Sequence, residues 1–155
     1  MPVTVLIADD FYLMLKAMRK FLEADSRIEV VGEASSFAET MHMISDFQPD
    51  VLLFDLYMPG KRDFTSAFVK SQFASVGCIL AVSFSNDEEA HTLAEGYGAS
   101  SLLDKMNLYS EMIPAILRCA NRTIPQGALP NRYRAKKIFY RPIKGTKGAV
   151  SKRAA

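Results

Sequence analysis

Five side chains stand out by type and position. Asp9 and Asp10 follow the apolar run Val3–Ala8, Asp55 follows Val51–Phe54, and Ser83 follows Cys78–Val82. Lys105 comes just beyond a shorter apolar stretch, Ser101–Leu103. Each lies at the carboxyl end of a segment short and apolar enough to be a buried strand. If these strands are parallel neighbours, three carboxylates, a hydroxyl and an ammonium meet at the sheet edge where open α/β sheets bind ligands. Carboxylates held together repel one another unless a cation enters. Oxygen donors without His or Cys favour a hard ion, and Mg²⁺ suits a site with a few carboxylates that keeps its waters. A carboxylate can also act as a nucleophile toward phosphorus and form an aspartyl phosphate. The cation would then neutralise phosphoryl charge, Lys105 would pair with one phosphoryl oxygen, and the Ser83 hydroxyl would donate to another.

Singly, most of these residues are ordinary. An Asp-Asp pair after a strand is usually a solvated turn or a cap, and a lone Lys after a strand is usually surface. Asp55 is harder to dismiss. It follows four apolar residues and precedes Leu56-Tyr57-Met58-Pro59, and a charge there is costly without partners. The joint arrangement at four strand ends favours a site.

The intervening segments supply the scaffold. Met14, Leu15, Met18, Phe21 and Leu22 recur on one face of a helix. Ile28–Gly32 reads as a further strand, and Ser36-Phe37-Ala38-Glu39 as a capping box opening the next helix. A helix through Phe64, Phe68 and Phe73 follows Asp55, and Ser85-Asn86-Asp87-Glu88 reads as a second capping box, for a helix stopping near Gly96–Gly98. A last helix is expected within Leu108–Arg122, its start limited by Pro114, which cannot donate an interior hydrogen bond. Five strands thus alternate with five helices. The strands are continuous apolar runs, so both faces are covered, which implies a parallel sheet with helices on both sides.

Composition fits one ordinary domain: 155 residues, 49% hydrophobic, 23% charged, formal net charge +2. That small charge hides two unlike segments. Residues 1–122 carry 10 Lys/Arg against all 17 Asp/Glu, a net of −7, and residues 123–155 carry 9 Lys/Arg and no acid, a net of +9. The second segment has three prolines, three glycines and no helical period. It is expected to be an irregular or disordered basic tail beyond a domain spanning 1–122. No apolar run approaches the length of a membrane span, and the N-terminus lacks a signal-peptide pattern. Cys78 and Cys119 are expected to be buried thiols in a reducing cytoplasm. His42 and His91 read as ordinary surface or boundary residues.

The motifs Val5-Leu6-Ile7-Ala8-Asp9-Asp10, Asp55-Leu56-Tyr57-Met58-Pro59-Gly60, Ser83, and Gly98-Ala99 leading to Lys105 make the chain resemble the receiver domain of two-component response regulators over about residues 3–122. The details of 28–34 and 98–106 are most similar to the subfamily that usually carries a helix-turn-helix, a module for which the 33 residues after Arg122 leave too little room. The resemblance implies a flavodoxin-like, doubly wound α/β fold whose five-stranded parallel sheet has the order 2-1-3-4-5. It implies Asp55 as phosphoacceptor, Mg²⁺ held by Asp10, Asp55 and the backbone carbonyl of Tyr57 with Asp9 acting mostly through water, and Ser83 and Lys105 reading the phosphoryl group. The donor would be a histidine kinase or a phosphotransfer protein. The output would be a conformational change read by a separate protein target or by a second copy of the chain.

Two departures matter. The aromatic residue that the family usually has three positions before the lysine is here Leu102, which puts the usual serine–aromatic switch in doubt. The usually small residue after Ser83 is Phe84, which is expected to narrow access and, with Tyr57, to slow phosphate loss, or else to pack on the next helix. Other functions remain open at this point. The tail could bind nucleic acid through its cations, with Phe139 and Tyr140 stacking on bases. An aspartyl-phosphate phosphatase is disfavoured, because Tyr57 stands where such enzymes place a second Asp. The chain is therefore read as a switch that catalyses only its own phosphotransfer and dephosphorylation.

Overall fold

The computed structural model describes residues 1–121 and the backbone of 141–142. Five parallel strands, β1 (Val3–Ala8), β2 (Ile28–Ala34), β3 (Val51–Asp55), β4 (Cys78–Ser83) and β5 (Ser101–Asp104), alternate with α1 (Tyr12–Glu23), α2 (Phe37–Phe47), α3 (Ser66–Phe73), α4 (Glu88–Gly96) and α5 (Leu108–Ala120). The parallel order is 2-1-3-4-5, as expected. A short sixth strand, β6 (Arg141–Pro142), runs antiparallel along the β5 edge, which the sequence reading did not anticipate. The remaining residues of the segment expected to be an irregular tail lie outside the described ones.

Each apolar strand feeds two cores because alternate side chains point to opposite faces. Val51 and Leu53 pack with Leu15, Met18, Leu22, Met112 and Ile116 beneath α1 and α5. Their neighbours Leu52 and Phe54 pack with Phe37, Ile44, Val69, Phe73 and Ala94 beneath α2, α3 and α4. This second layer is built around four rings, Phe37, Phe54, Phe73 and Tyr97, with centroids 5.3 to 6.5 Å apart. Between β1 and β2 the register shifts after Val5, so that Leu6 faces Gly32. A Cβ on Gly32 would come within 3.0 Å of Leu6 Cδ1 and 3.2 Å of Met43 Sδ, so only glycine lets α2 lie this close to the sheet.

The helix ends follow local chemistry, with some departures. At α2, Ser36 Oγ accepts from the Glu39 N–H as a capping box requires, but the Glu39 carboxylate accepts from the Ser35 N–H and hydroxyl instead of closing on Ser36. At α4 the cap is Asp87 rather than Ser85. Asp87 Oδ1 accepts from the Ala90 N–H at 2.8 Å, while the Ser85 N–H is held by Ser83 Oγ. Pro114 does not delay α5, which runs through it. The helix forgoes one interior hydrogen bond there, offset by burial of Leu108, Met112, Ala115 and Ile116 against the sheet.

The cysteines depart furthest from expectation. Both are buried, but they are joined in a disulfide, not left as thiols. The α5 helix crosses back over β4 and brings the two Cα atoms to 5.7 Å, within bridging range, despite 41 positions of sequence between them. His91 is also not at the surface. It is 9% exposed, with Nε2 2.6 Å from Asn86 Oδ1. His42 is exposed and pairs with Asp46 one helical turn on.

Candidate functional site

The carboxyl edge of the sheet gathers the expected acids. Oxygen atoms of Asp9, Asp10 and Asp55 lie within 4.8 Å of one another. Asp9 and Asp55 are buried, and Asp10 is exposed. The β1 and β3 strands pair directly, Ala8 beside Phe54, so their last side chains emerge together. Asp9 is held from two sides. Its Oδ1 accepts from the Phe11 N–H at 2.9 Å, and its Oδ2 accepts from Lys105 Nζ at 2.7 Å.

Lys105, at the end of β5, crosses to the middle of the sheet and bridges two acids, 2.7 Å from Asp9 and 3.2 Å from Asp55. Burial alone would lower its pKa. The Asp9 hydrogen bond and the charges of Asp55 and Asp9 outweigh that, and the ammonium is held above its usual value. Asp55 shows the opposite balance. Burial pushes its carboxyl up, only partly countered by the Tyr57 N–H, which donates to Oδ1 at 3.1 Å, and by Lys105. The site thus holds an anion whose solvation is poor and whose cation is already in place. Three clustered carboxylates, one facing solvent, are a donor set that fits a hard divalent cation.

Tyr57 directs its N–H to Asp55 and leaves its ring half exposed. Burial, and then the charges of Asp87, Glu89 and Asp55, raise its phenol. Ser83 is buried at the end of β4, one position past Val82, the register partner of Asp55. Its hydroxyl accepts from the Ser85 N–H at 2.9 Å. Leu102 is buried on β5 and packs with the aromatic layer. Phe84 does not pack away under α4. It is 65% exposed, and Lys105 Nζ stands 5.2 Å from its ring centroid, a cation–π arrangement that adds a wall to the site.

One buried acid escaped the sequence reading. Glu111 on α5 is 5% exposed, and its Oε2 has no hydrogen-bond partner. Its pKa is raised by burial and then by the charge of Asp104, partly offset by the Asp104 backbone. The available signal was an acid on the apolar stripe formed by Leu108, Met112 and Ala115.

Residues 5–117 match the response regulator receiver domain family, and the chain belongs to it. It is the receiver domain of a two-component response regulator. Among individual relatives, the transcriptional regulatory protein LiaR of Bacillus subtilis is 32% identical over 125 residues, covering 80% of this chain and 58% of that protein. A protein-glutamate methylesterase/protein-glutamine glutaminase of Myxococcus xanthus is 30% identical over 105 residues, covering 67% of this chain and 30% of that one. Among solved structures, the signal receiver domain of a NarL response regulator from Mycobacterium tuberculosis superposes with a TM-score of 0.68 at 29% identity, covering 77% of this chain and 97% of that one. The chain spans little more than half of the first relative and less than a third of the second. A transcriptional regulator and an esterase share this region, so it carries what is common to them and not their outputs. Among the described residues no helix is long and apolar enough to cross a membrane.

Proposed function

We propose that this receiver is a phosphorylation switch in which Asp55 accepts a phosphoryl group from a phosphohistidine on a histidine kinase or phosphotransfer protein, in a Mg²⁺-dependent reaction. The observation that carries the reading is Lys105 Nζ bridging Asp9 at 2.7 Å and Asp55 at 3.2 Å beside three clustered carboxylates. In the transfer, an Asp55 oxygen forms a bond to phosphorus as the donor's N–P bond breaks, and the electron pair returns to the imidazole. Asp9, Asp10, Asp55 and the Tyr57 carbonyl would hold Mg²⁺, which when bound neutralises charge on the phosphoryl oxygens. Lys105 then exchanges its contact with Asp55 for a phosphoryl oxygen while keeping Asp9. The Ser83 hydroxyl donates to another phosphoryl oxygen, releasing the Ser85 N–H that it now holds. That change reaches the start of α4 through Ser85, whose hydroxyl donates to the capping Asp87 at 2.6 Å. Leu102 takes the place of the usual aromatic partner, so the serine and the α4 cap carry the signal to a target protein or a second copy of the chain.

The Tyr57 side chain cannot serve as the second carboxylic acid that a turnover phosphatase would use, so the chemistry stops at the protein's own phosphorylation and dephosphorylation. The test is incubation with a small-molecule phosphodonor, with and without Mg²⁺, following mass and oligomeric state for wild type and Asp55→Asn. One added phosphate, in wild type only and with Mg²⁺ only, is the expected result. No gain, or the same gain in both proteins, rejects the assignment.

A further inference from the structure

The two edges of the sheet are closed in different ways. At β2 a side chain meets the backbone edge: Arg19 Nη2 donates to the Val30 carbonyl at 3.1 Å, and Glu29 on that strand is exposed. β5 is the last of the parallel strands, yet Ser101, Leu102 and Leu103 are 3%, 3% and 0% exposed. Against it lies β6, from the chain's own basic segment, with Leu102 opposite Arg141 and Ser101 opposite Pro142. The Ser100 N–H donates to the Ile79 carbonyl on β4. Backbone groups alternate sides along a strand, so Ser101 and Leu103 turn theirs outward, toward β6. Left bare, that row is a template for another strand. Pro142 suits its place, because β6 is outermost in the sheet. The surrounding charge suits the occupant as well. Within α4, β5 and α5 stand five acids, Glu88, Glu89, Glu95, Asp104 and Glu111, against Arg118, a net of −4. Lys105, between β5 and α5, is committed to Asp9 and Asp55. Glu95 Oε1 and Glu111 Oε2 are buried without a hydrogen-bond partner among the described residues. Residues 123–155, by contrast, carry nine cations and no acid.

We propose that the β5 edge is a strand-docking site, occupied by the basic segment of this same chain around Arg141–Pro142, which keeps the edge closed to a second copy. Main-chain hydrogen bonds along Ser101–Leu103 supply the grip. Attraction between the acidic flanks and the basic segment selects the occupant. When the strand leaves, two β5 edges can meet antiparallel about a twofold axis, because such a pair is self-complementary. The place of this edge gives the guard its use. Lys105 is the residue that follows β5, so a strand seated there lies beside the switch without covering its phosphoacceptor. Docking needs no phosphate on Asp55 and is tested without it.

Amide hydrogen exchange on the unphosphorylated full chain reads the edge residue by residue. In wild type the outward amides of Ser101 and Leu103 should be protected, like that of Leu102, which faces β4. Arg141→Glu/Lys144→Glu removes two charges at each position and takes the segment from +9 to +5. It should speed exchange at Ser101 and Leu103 about tenfold or more and leave Leu102 within about threefold. The same variant should sediment as a dimer at about 100 μM, where wild type is a monomer. Arg141→Lys/Lys144→Arg keeps the charge and should behave as wild type. Protection in wild type should hold over about a hundredfold range of protein concentration, as an intramolecular strand requires. Fast exchange at Ser101 and Leu103 in wild type would overturn the proposal, as would unchanged rates in the charge-reversed variant. Protection that grows with concentration would make a second copy the occupant and overturn it too. So would a charge-reversed variant that is open at the edge and still monomeric.

Discussion

Replacing Lys105 with methionine keeps the length of the side chain and removes its charge. Lys105, Asp9 and Asp55 have side chains 7%, 3% and 9% exposed, with contacts of 2.7 and 3.2 Å. Breaking a buried pair by deleting one partner typically costs 3–5 kcal/mol, because the other charge is left uncompensated. The low end applies, since Asp10 opens the cluster to water and Asp55, raised by burial, can relieve repulsion by taking up a proton. The expected loss is about 3 kcal/mol at pH 7 in EDTA, or a Tm lower by roughly 10 °C. The sign with pH follows from the shifts. Lys105 is held above its usual value, so its contribution is full through neutral pH and fades only at alkaline pH as the ammonium deprotonates. Without it Asp55, already raised by burial, is raised further, so the deficit is greatest at neutral pH and shrinks toward pH 4 as Asp55 protonates. Mg²⁺ should stabilise the variant more than wild type, because the unneutralised carboxylates bind a cation more tightly. In an Asp9→Asn/Asp55→Asn background the same substitution should cost under about 1 kcal/mol. Calorimetry across pH, with and without Mg²⁺, supplies all four comparisons. A deficit below about 1 kcal/mol that is flat with pH would falsify the view that Lys105 holds this cluster together.

Other perturbations test separate parts of the structure. Because burial raises Asp55 above an ordinary carboxylate, the stability linked to its protonation is full below its unfolded pKa and lost as pH rises through the folded value. Asp55→Asn in EDTA should therefore melt higher than wild type at pH 7, with the gap closing near pH 4; a lower melting point at pH 7 would contradict this. Phe84→Ala removes the ring beneath Lys105 and should shorten the half-life of the phosphorylated protein about two- to fivefold; an unchanged half-life would eliminate that role. Cys119→Ser opens a loop whose ends are 41 positions apart, and should cost about 4 kcal/mol in denaturant unfolding. Reduced wild type should match the variant, and a loss under about 1 kcal/mol would mean that the cross-link constrains little. Asp87→Ala deletes the α4 cap and should cost about 1 kcal/mol, with faster amide exchange confined to the first turn of α4.

What was legible in the sequence was whatever depends on neighbours along the chain. Apolar runs such as Val51–Phe54 identified strands covered on both faces, and the spacing of Met14, Leu15, Met18, Phe21 and Leu22 identified the buried side of α1. Once the strands are parallel, Asp9, Asp55 and Ser83 must emerge at one edge, because each follows its strand directly. The Ser36 cap was readable for the same reason, being set within one turn of helix. Tertiary structure decided everything that depends on how a helix lies across the sheet. The crossing of α5 over β4 brought Cys78 and Cys119 together, which no spacing rule could have indicated. The same packing carried Pro114 inside the helix and buried Glu111 on its apolar face. The α4 cap is Asp87 and not Ser85, whose hydroxyl is turned to donate to the Asp87 carboxylate while its N–H is held by Ser83 on the strand. The Lys105 bridge is the sharpest case. Its type and place in the chain were plain, but its 2.7 and 3.2 Å contacts require β1, β3, β4 and β5 to stand in that order in register, so that Lys105 reaches across β4. Periodicity specifies which face of an element is apolar, whereas only close packing of those faces specifies which distant residues touch.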